Sequence, residues 1–122
     1  MRNALSYDDV LLMPAYSDIK SRSEVTIETD LGNGLVLDMP ILASPMDTIS
    51  ESSMAISMSE YGGAAIIHRY NTVQEQVKMV GLAHGISRVS NIGAAVGISR
   101  DTNKRTQKLV DAGAEPSTLI QP

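Results

Sequence analysis

Three short apolar runs, each followed by a polar turn and then by helical spacing, constrain this fold more than any other feature. They are Pro40–Ala43, Ala64–Ile67 and Ile92–Ile98. None alternates apolar with polar, so each reads as a strand buried on both faces, as in parallel sheets. Helical patterns between such strands imply right-handed βα crossovers.

The first unit is the most punctuated. Pro40 suits the first residue of a strand, and Pro45 ends it, leaving Ser44–Asp47 as a βα turn. Thr48-Ile49-Ser50-Glu51 has the form of a capping box. The helix expected over Glu51–Tyr61 puts Met54, Met58 and Tyr61 on its buried face and Ser52, Ser59 and Glu60 outside. Gly62-Gly63 closes it. The second strand ends at His68-Arg69-Tyr70-Asn71. Thr72-Val73-Gln74-Glu75 is a second capping box, and Val73, Val77 and Val80 give the apolar face of a helix closing near Gly81. His84 to Ser90 reads as a connector. In the third unit Gly93 and Gly97 lie within the strand, with no Gly-Lys-Ser/Thr ending, so they do not form a phosphate loop. Asp101 or Thr102 caps a helix that runs to Ala112 and stops at Gly113, with Leu109 and Val110 as its apolar residues.

Upstream, residues 1–23 are irregular and polar. Val10-Leu11-Leu12-Met13 is an apolar run stopped by Pro14 and is expected to pack onto the core. Glu24–Asp30 alternates with period two, Gly32-Asn33-Gly34 supplies turn residues, and Leu35-Val36-Leu37 runs back, which predicts a β-hairpin. Downstream, a fourth strand is due after Ala114. Glu115–Pro122 instead carries two prolines and only Leu119-Ile120 as an apolar pair, so 115–122 reads as an atypical tail. Truncation, an interrupted gene and a tail covering an open edge all fit that break.

The chain of 122 residues suffices for one core but not for a closed (β/α)8 barrel of roughly 250 residues. Its net charge of −4 gives no basic footprint for nucleic acid or anionic lipid. Without cysteine there is no disulfide framework, and His68 and His84 alone are poor material for a metal site. No apolar run approaches the roughly 20 residues of a membrane span, and no signal peptide is visible, so a cytoplasmic protein is expected.

Ala43-Ser44-Pro45-Met46-Asp47-Thr48 resembles the first substrate-loop motif of the IMP dehydrogenase/GMP reductase family. Tyr7-Asp8-Asp9-Val10-Leu11-Leu12-Met13-Pro14 is similar to its N-terminal signature. Ser21-Arg22-Ser23-Glu24-Val25, Gly62-Gly63 and Ile67-His68-Arg69 follow in family order, and the resemblance runs from about Leu5 to about Ala114. It implies an α/β fold: a partial (β/α)8 TIM barrel with an N-terminal plug hairpin and about three βα units, residues 1–122 forming the N-terminal part of one domain. The regulatory insert of many dehydrogenases is absent between the second helix and third strand, where only Gly81–Ser90 intervenes. The implied chemistry is hydride transfer between purine C2 and a nicotinamide cofactor, NAD or NADP(H). A family cysteine attacks C2, and this chain has none.

By the same resemblance Ser44 and Met46 contact a purine mononucleotide (IMP or GMP), and His68 and Arg69 lie beside the cofactor. The residues alone also allow a plainer reading: Ser44 satisfying backbone, Met46 in the core, His68 a hydrogen-bonded strand-end histidine, Arg69 a solvated charge and Asp47 a helix-entry carboxylate. Implied partners are a complementing C-terminal chain and copies of itself in a tetramer. An inactive nucleotide-binding or interaction remnant, and an unrelated small α/β binding domain, remain alternatives.

Overall fold

The computed structural model describes residues 4–86, 91–114 and 119–120. Its elements in order are short 3-10 turns at Tyr7–Asp9 and Arg22–Glu24, strands β1 (Thr29–Asp30), β2 (Val36–Leu37) and β3 (Leu42–Ala43), helix α1 (Ser52–Glu60), β4 (Ala64–Ile67), α2 (Val73–Ile86), β5 (Ile92–Ala95), α3 (Thr102–Asp111) and β6 (Leu119–Ile120). Strands β3-β4-β5-β6 form one sheet in that order, and every pair is parallel. This is the expected open, unclosed part of a βα barrel with its N-terminal hairpin.

The core follows from register. Leu42 pairs with Ala64, Ile67 with Ala94, and Ala94 with Leu119. One face of the sheet therefore carries Ala43, Ala65, Ile67, Ile92, Ala94, Val96 and Leu119 against Ala55, Val80, Ala83 and Leu109 of the three helices. Ile66 and Ala95, on the opposite face, are buried as well. β4 and β5 are therefore covered on both sides, and it is the edge strand β3 that is exposed: Leu42 is 40 % accessible. The first apolar run is thus an edge rather than a buried strand, because it has one neighbour only.

The hairpin forms through three consecutive left-handed residues, Gly32, Asn33 and Gly34 (φ 90°, 53° and 84°). It pairs over two residues per strand. Residues 24–28, where alternation predicts strand, lie exposed with nothing to pack on. Asn91 donates through Nδ2 to the carbonyls of Val36 (3.2 Å) and Gly63 (3.4 Å), which fastens the hairpin to the N-terminal end of the sheet, away from the βα loops. The apolar run in the N-terminal arm finds no core: Leu11 and Leu12 are 96 % and 99 % exposed.

The helices differ from expectation in instructive ways. In α1 the buried stripe is Ala55 and Ser59, whereas Met54 and Met58 are half-buried and Tyr61 is exposed. Small residues let the helix lie close to the strands: a Cβ on Gly63 would come within 2.8 Å of the Ile41 carbonyl and of the Met58 methyl. The end is as expected, with Gly63 N–H donating to Met58 O (2.9 Å), Gly62 N–H to Ser59 O (3.1 Å), and Gly62 at φ 78°. Helix α2 runs past Gly81 to Ile86, so His84 is helical and not in a connector. Gly81 lies 4.0 Å, measured from a would-be Cβ, from the Ala112 carbonyl, and Gly113 packs on the His84 ring. Strand β5 ends at Ala95, and Ile98 is exposed. The tail is not wholly irregular: Leu119–Ile120 pairs with Ala94 and Ala95, a short fourth strand. Residues 115–118 and 121–122 lie outside the described residues, as do residues 87–90 of the expected connector.

Candidate functional site

Parallel strands place their C-terminal ends together, so the β3–α1 and β4–α2 loops are neighbours. The first loop folds back on itself. Met46 N–H donates to Ser44 O (2.8 Å), and Ile49 and Ser50 N–H donate to Met46 O (3.3 and 2.9 Å). The buried Ser50 hydroxyl donates to Ser44 O. The second loop then joins: His68 N–H donates to Ser50 O (3.2 Å). These ties replace the capping box expected at Thr48. Thr48 takes a left-handed conformation (φ 60°), α1 starts only at Ser52, and the N-cap Glu51 makes no side-chain cap bond. Ser44 and Asp47 are exposed and Met46 is 52 % exposed, so Met46 is not a core residue.

His68 is buried, 2 % exposed. Its Nδ1 accepts from Tyr70 N–H (3.2 Å), and its Nε2 lies 3.5 Å from Glu51 Oε1 and 3.8 Å from Asp47 Oδ1. Those separations bring two carboxylates near the ring without an aligned hydrogen bond, and among the described residues Nε2 has no hydrogen-bond partner. The Tyr70 ring stacks beside the imidazole with centroids 6.2 Å apart. Arg69 turns the other way. Its guanidinium carbon lies 5.9 Å from the centre of the Tyr70 ring, and its Nη1 occupies the space that a Cβ on Gly97 would take. Glycine at the end of β5 thus gives Arg69 its seat. The structure brings Ser44, Met46, His68 and Arg69 to one end of the sheet; His68 faces inward to carboxylates while Arg69 and Tyr70 are exposed.

A polar bracket behind these loops was not anticipated from sequence. Gln76 on α2, fully buried, donates through Nε2 to Ala95 O (2.9 Å) and Ile67 O (3.3 Å), tying the ends of β5 and β4 together. Its Oε1 accepts from Arg105 Nη1 on α3 (2.8 Å), and Arg105 Nη2 donates to Asn71 O (3.2 Å). Asp101 completes the bracket, 3.6 Å from Arg105 Nη2. The Ser99 hydroxyl bonded to Asp101, with the Arg105 charge adding, holds that carboxyl below the ordinary aspartate range. The signal was present: Val73, Gln76, Val80 and Ala83 share helical spacing, and a glutamine on that stripe has to find partners.

A groove of about 260 Å³ lies between α1 and α2, lined by Ser52, Glu75, Lys78, Met79 and Leu82. It lies between the helices, apart from the paired loops, and its polar lining is Ser52, Glu75 and Lys78. Among the described residues no cluster of His, Asp and Glu is arranged to hold a metal ion, and no helix is long and apolar enough to cross a membrane.

The fold defines a βα-barrel-type segment whose β3–α1 and β4–α2 loops meet at the C-terminal ends of its parallel strands. Residues 4–118 match the family model described as the IMP dehydrogenase / GMP reductase domain, and the chain belongs to that family. The match reaches four residues beyond the Ala114 limit of the motifs. Among curated relatives, the inosine-5'-monophosphate dehydrogenase of Nitrosopumilus maritimus is 47 % identical over 79 residues, 65 % of this chain and 17 % of that protein. The GMP reductase of Leishmania donovani is 45 % identical over 76 residues, 62 % of this chain and 15 % of that protein. The dehydrogenase of Bacillus subtilis is 39 % identical over 79 residues, 65 % of this chain and 16 % of that protein. The chain therefore spans about a sixth of the length of these relatives.

Proposed function

We propose that this chain supplies the first two ligand loops of a purine-nucleotide oxidoreductase site, with Ser44 and Met46 against the mononucleotide and the His68–Arg69 corner beside a nicotinamide cofactor. The observation that carries this reading is the bond from His68 N–H to Ser50 O, which joins the two loops inside the family match. An exposed thioether packs on a purine face and a free hydroxyl orients a ribose. The exposed Arg69 guanidinium beside the Tyr70 ring suits an anionic ligand with aromatic rings. His68, being buried, acts on such a ligand through its loop rather than by touching it. When bound, the nicotinamide group would accept or donate the hydride.

The covalent step at C2 needs a thiolate, and none of the 122 residues is cysteine. We therefore assign no turnover to this chain alone and place the nucleophile on a complementing segment or chain, with family-type homo-oligomers as the assembly. Relatives of both reaction directions match to similar identity, so the reading covers oxidation of IMP and reduction of GMP alike. A binding or interaction remnant is the second reading, favoured by the exposed arm and the edge strand β3. The deciding experiment is an NMR titration of the labelled chain with IMP, GMP and NAD(P), alongside a turnover assay. Shifts confined to Ser44–Asp47 with the mononucleotide and to Arg69–Tyr70 with the dinucleotide, without turnover, are expected. Turnover by the pure chain, or shifts elsewhere, would overturn the reading.

A further inference from the structure

The buried Nε2 of His68 carries a consequence independent of any ligand. A polar atom held away from water without an aligned partner is costly, and native structures keep few of them. Because Nδ1 accepts from the Tyr70 amide, the neutral ring must carry its proton on Nε2. Two carboxylates stand over that atom, Glu51 at 3.5 Å and Asp47 at 3.8 Å. We propose that Asp47 and Glu51 are positioning residues for His68: they keep the proton on Nε2, so that Nδ1 stays free to pin the Tyr70 amide and, through it, the Arg69–Tyr70 corner.

The alternative tautomer would set an Nδ1–H against the Tyr70 N–H, donor against donor, and would turn a lone pair toward two negative charges. Both faces of the ring therefore select the same proton position. The charged groups facing the ring are these two carboxylates from the β3–α1 connection. On its own loop the Tyr70 ring stacks beside it, and the Arg69 charge is turned away onto Gly97. The first βα loop thus sets the geometry of the second by electrostatics as well as by the Ser50 tie.

The test is the imidazole nitrogen spectrum of the 15N-labelled, ligand-free chain, read with hydrogen exchange of the Tyr70 amide. In the neutral range the wild type is expected to show the proton on Nε2 and a protected amide. Combined Asp47→Asn and Glu51→Gln should give mixed tautomers and exchange faster by on the order of fivefold, the equivalent of one lost hydrogen bond. Asp47 is exposed and the Glu51 side chain makes no cap bond, so neither substitution removes a cap. Should the double variant unfold, Glu51→Gln alone is read for the same signature, and His68→Phe, which removes the acceptor, must abolish the protection of the Tyr70 amide. A proton found on Nδ1 in the wild type, or carboxamide variants with unchanged tautomer and exchange, would overturn the proposal. Neither result depends on nucleotide binding.

Discussion

Gln76 does at residue scale what no apolar side chain could. It satisfies the carbonyls at the ends of β4 and β5 and at the same time occupies one arm of the Arg105 guanidinium. Both loops that follow those strands depend on that spacing: His68–Asn71 on one side, Gly97 on the other. Replacing Gln76 by leucine keeps the volume and strands the polar atoms. Arg105, only 13 % exposed at its side chain, loses its partner on α2. A buried group left unsatisfied costs about 1–3 kcal/mol. Gln76→Leu is therefore expected to lower stability by about 2 kcal/mol in urea unfolding, seen as a lower midpoint at unchanged slope. An unaffected midpoint would mean that water replaces the glutamine and that the bracket is not structural.

At the scale of elements, one motif written twice behaves in two ways. Thr72 and Glu75 make a full capping box: Thr72 N–H and Oγ1 each donate to Glu75 Oε2 at 2.8 Å, and Glu75 N–H donates to Thr72 Oγ1 at 3.2 Å. Thr48 and Glu51 have the same spacing and make none, because the tie from Ser50 to Ser44 and His68 takes the backbone first. Local chemistry was legible wherever nothing distant competed: the hairpin turn, the glycine end of α1, the box on α2, the buried strands β4 and β5. It failed where an outcome depends on neighbours. The edge position of β3, the exposure of the arm and the length of α2 past Gly81 are set by which surfaces meet, and periodicity does not record that. The same limit hid the Gln76 bracket and the inward turn of His68. The two boxes give a paired test. Thr72→Ala should cost about 1 kcal/mol. Thr48→Gly should cost nothing or stabilise, since it relieves a left-handed φ. The backbone bond from Thr72, aided by its hydroxyl, holds the Glu75 carboxyl below the ordinary glutamate range. A lowered carboxyl contributes stability above its unfolded titration and loses it as pH falls through the folded one. The gap in thermal midpoint between wild type and Thr72→Ala should accordingly shrink on acidification below the ordinary glutamate range. A gap independent of pH would remove Glu75 from the box.

On the scale of the whole molecule, burial is divided sharply along the chain. Every residue from 4 to 28 is exposed, including Tyr7, Leu11, Leu12, Met13 and Tyr16, whereas β4 and β5 are buried throughout. Apolar side chains in water on a segment without regular pairing contribute little to the folded state, since nothing there leaves solvent. The core that begins at the hairpin should therefore stand without the arm. Trypsin offers a direct measure, because Lys20 and Arg22 lie in the arm while Lys78 and Arg105 lie on helices packed on the sheet. Proteolysis of an open segment tracks its equilibrium exposure, and helix cleavage needs local unfolding first. At low protease the chain should lose its first 20 to 22 residues and leave a product resistant at Lys78 and Arg105, read by intact mass. That product should keep the thermal midpoint of the full chain. Protection of Lys20 and Arg22 at the same dose would show that the arm is covered in solution. If protection rose with protein concentration, the cover would be a second copy seated on Leu11 and Leu12; if it did not, the arm would fold back on its own sheet.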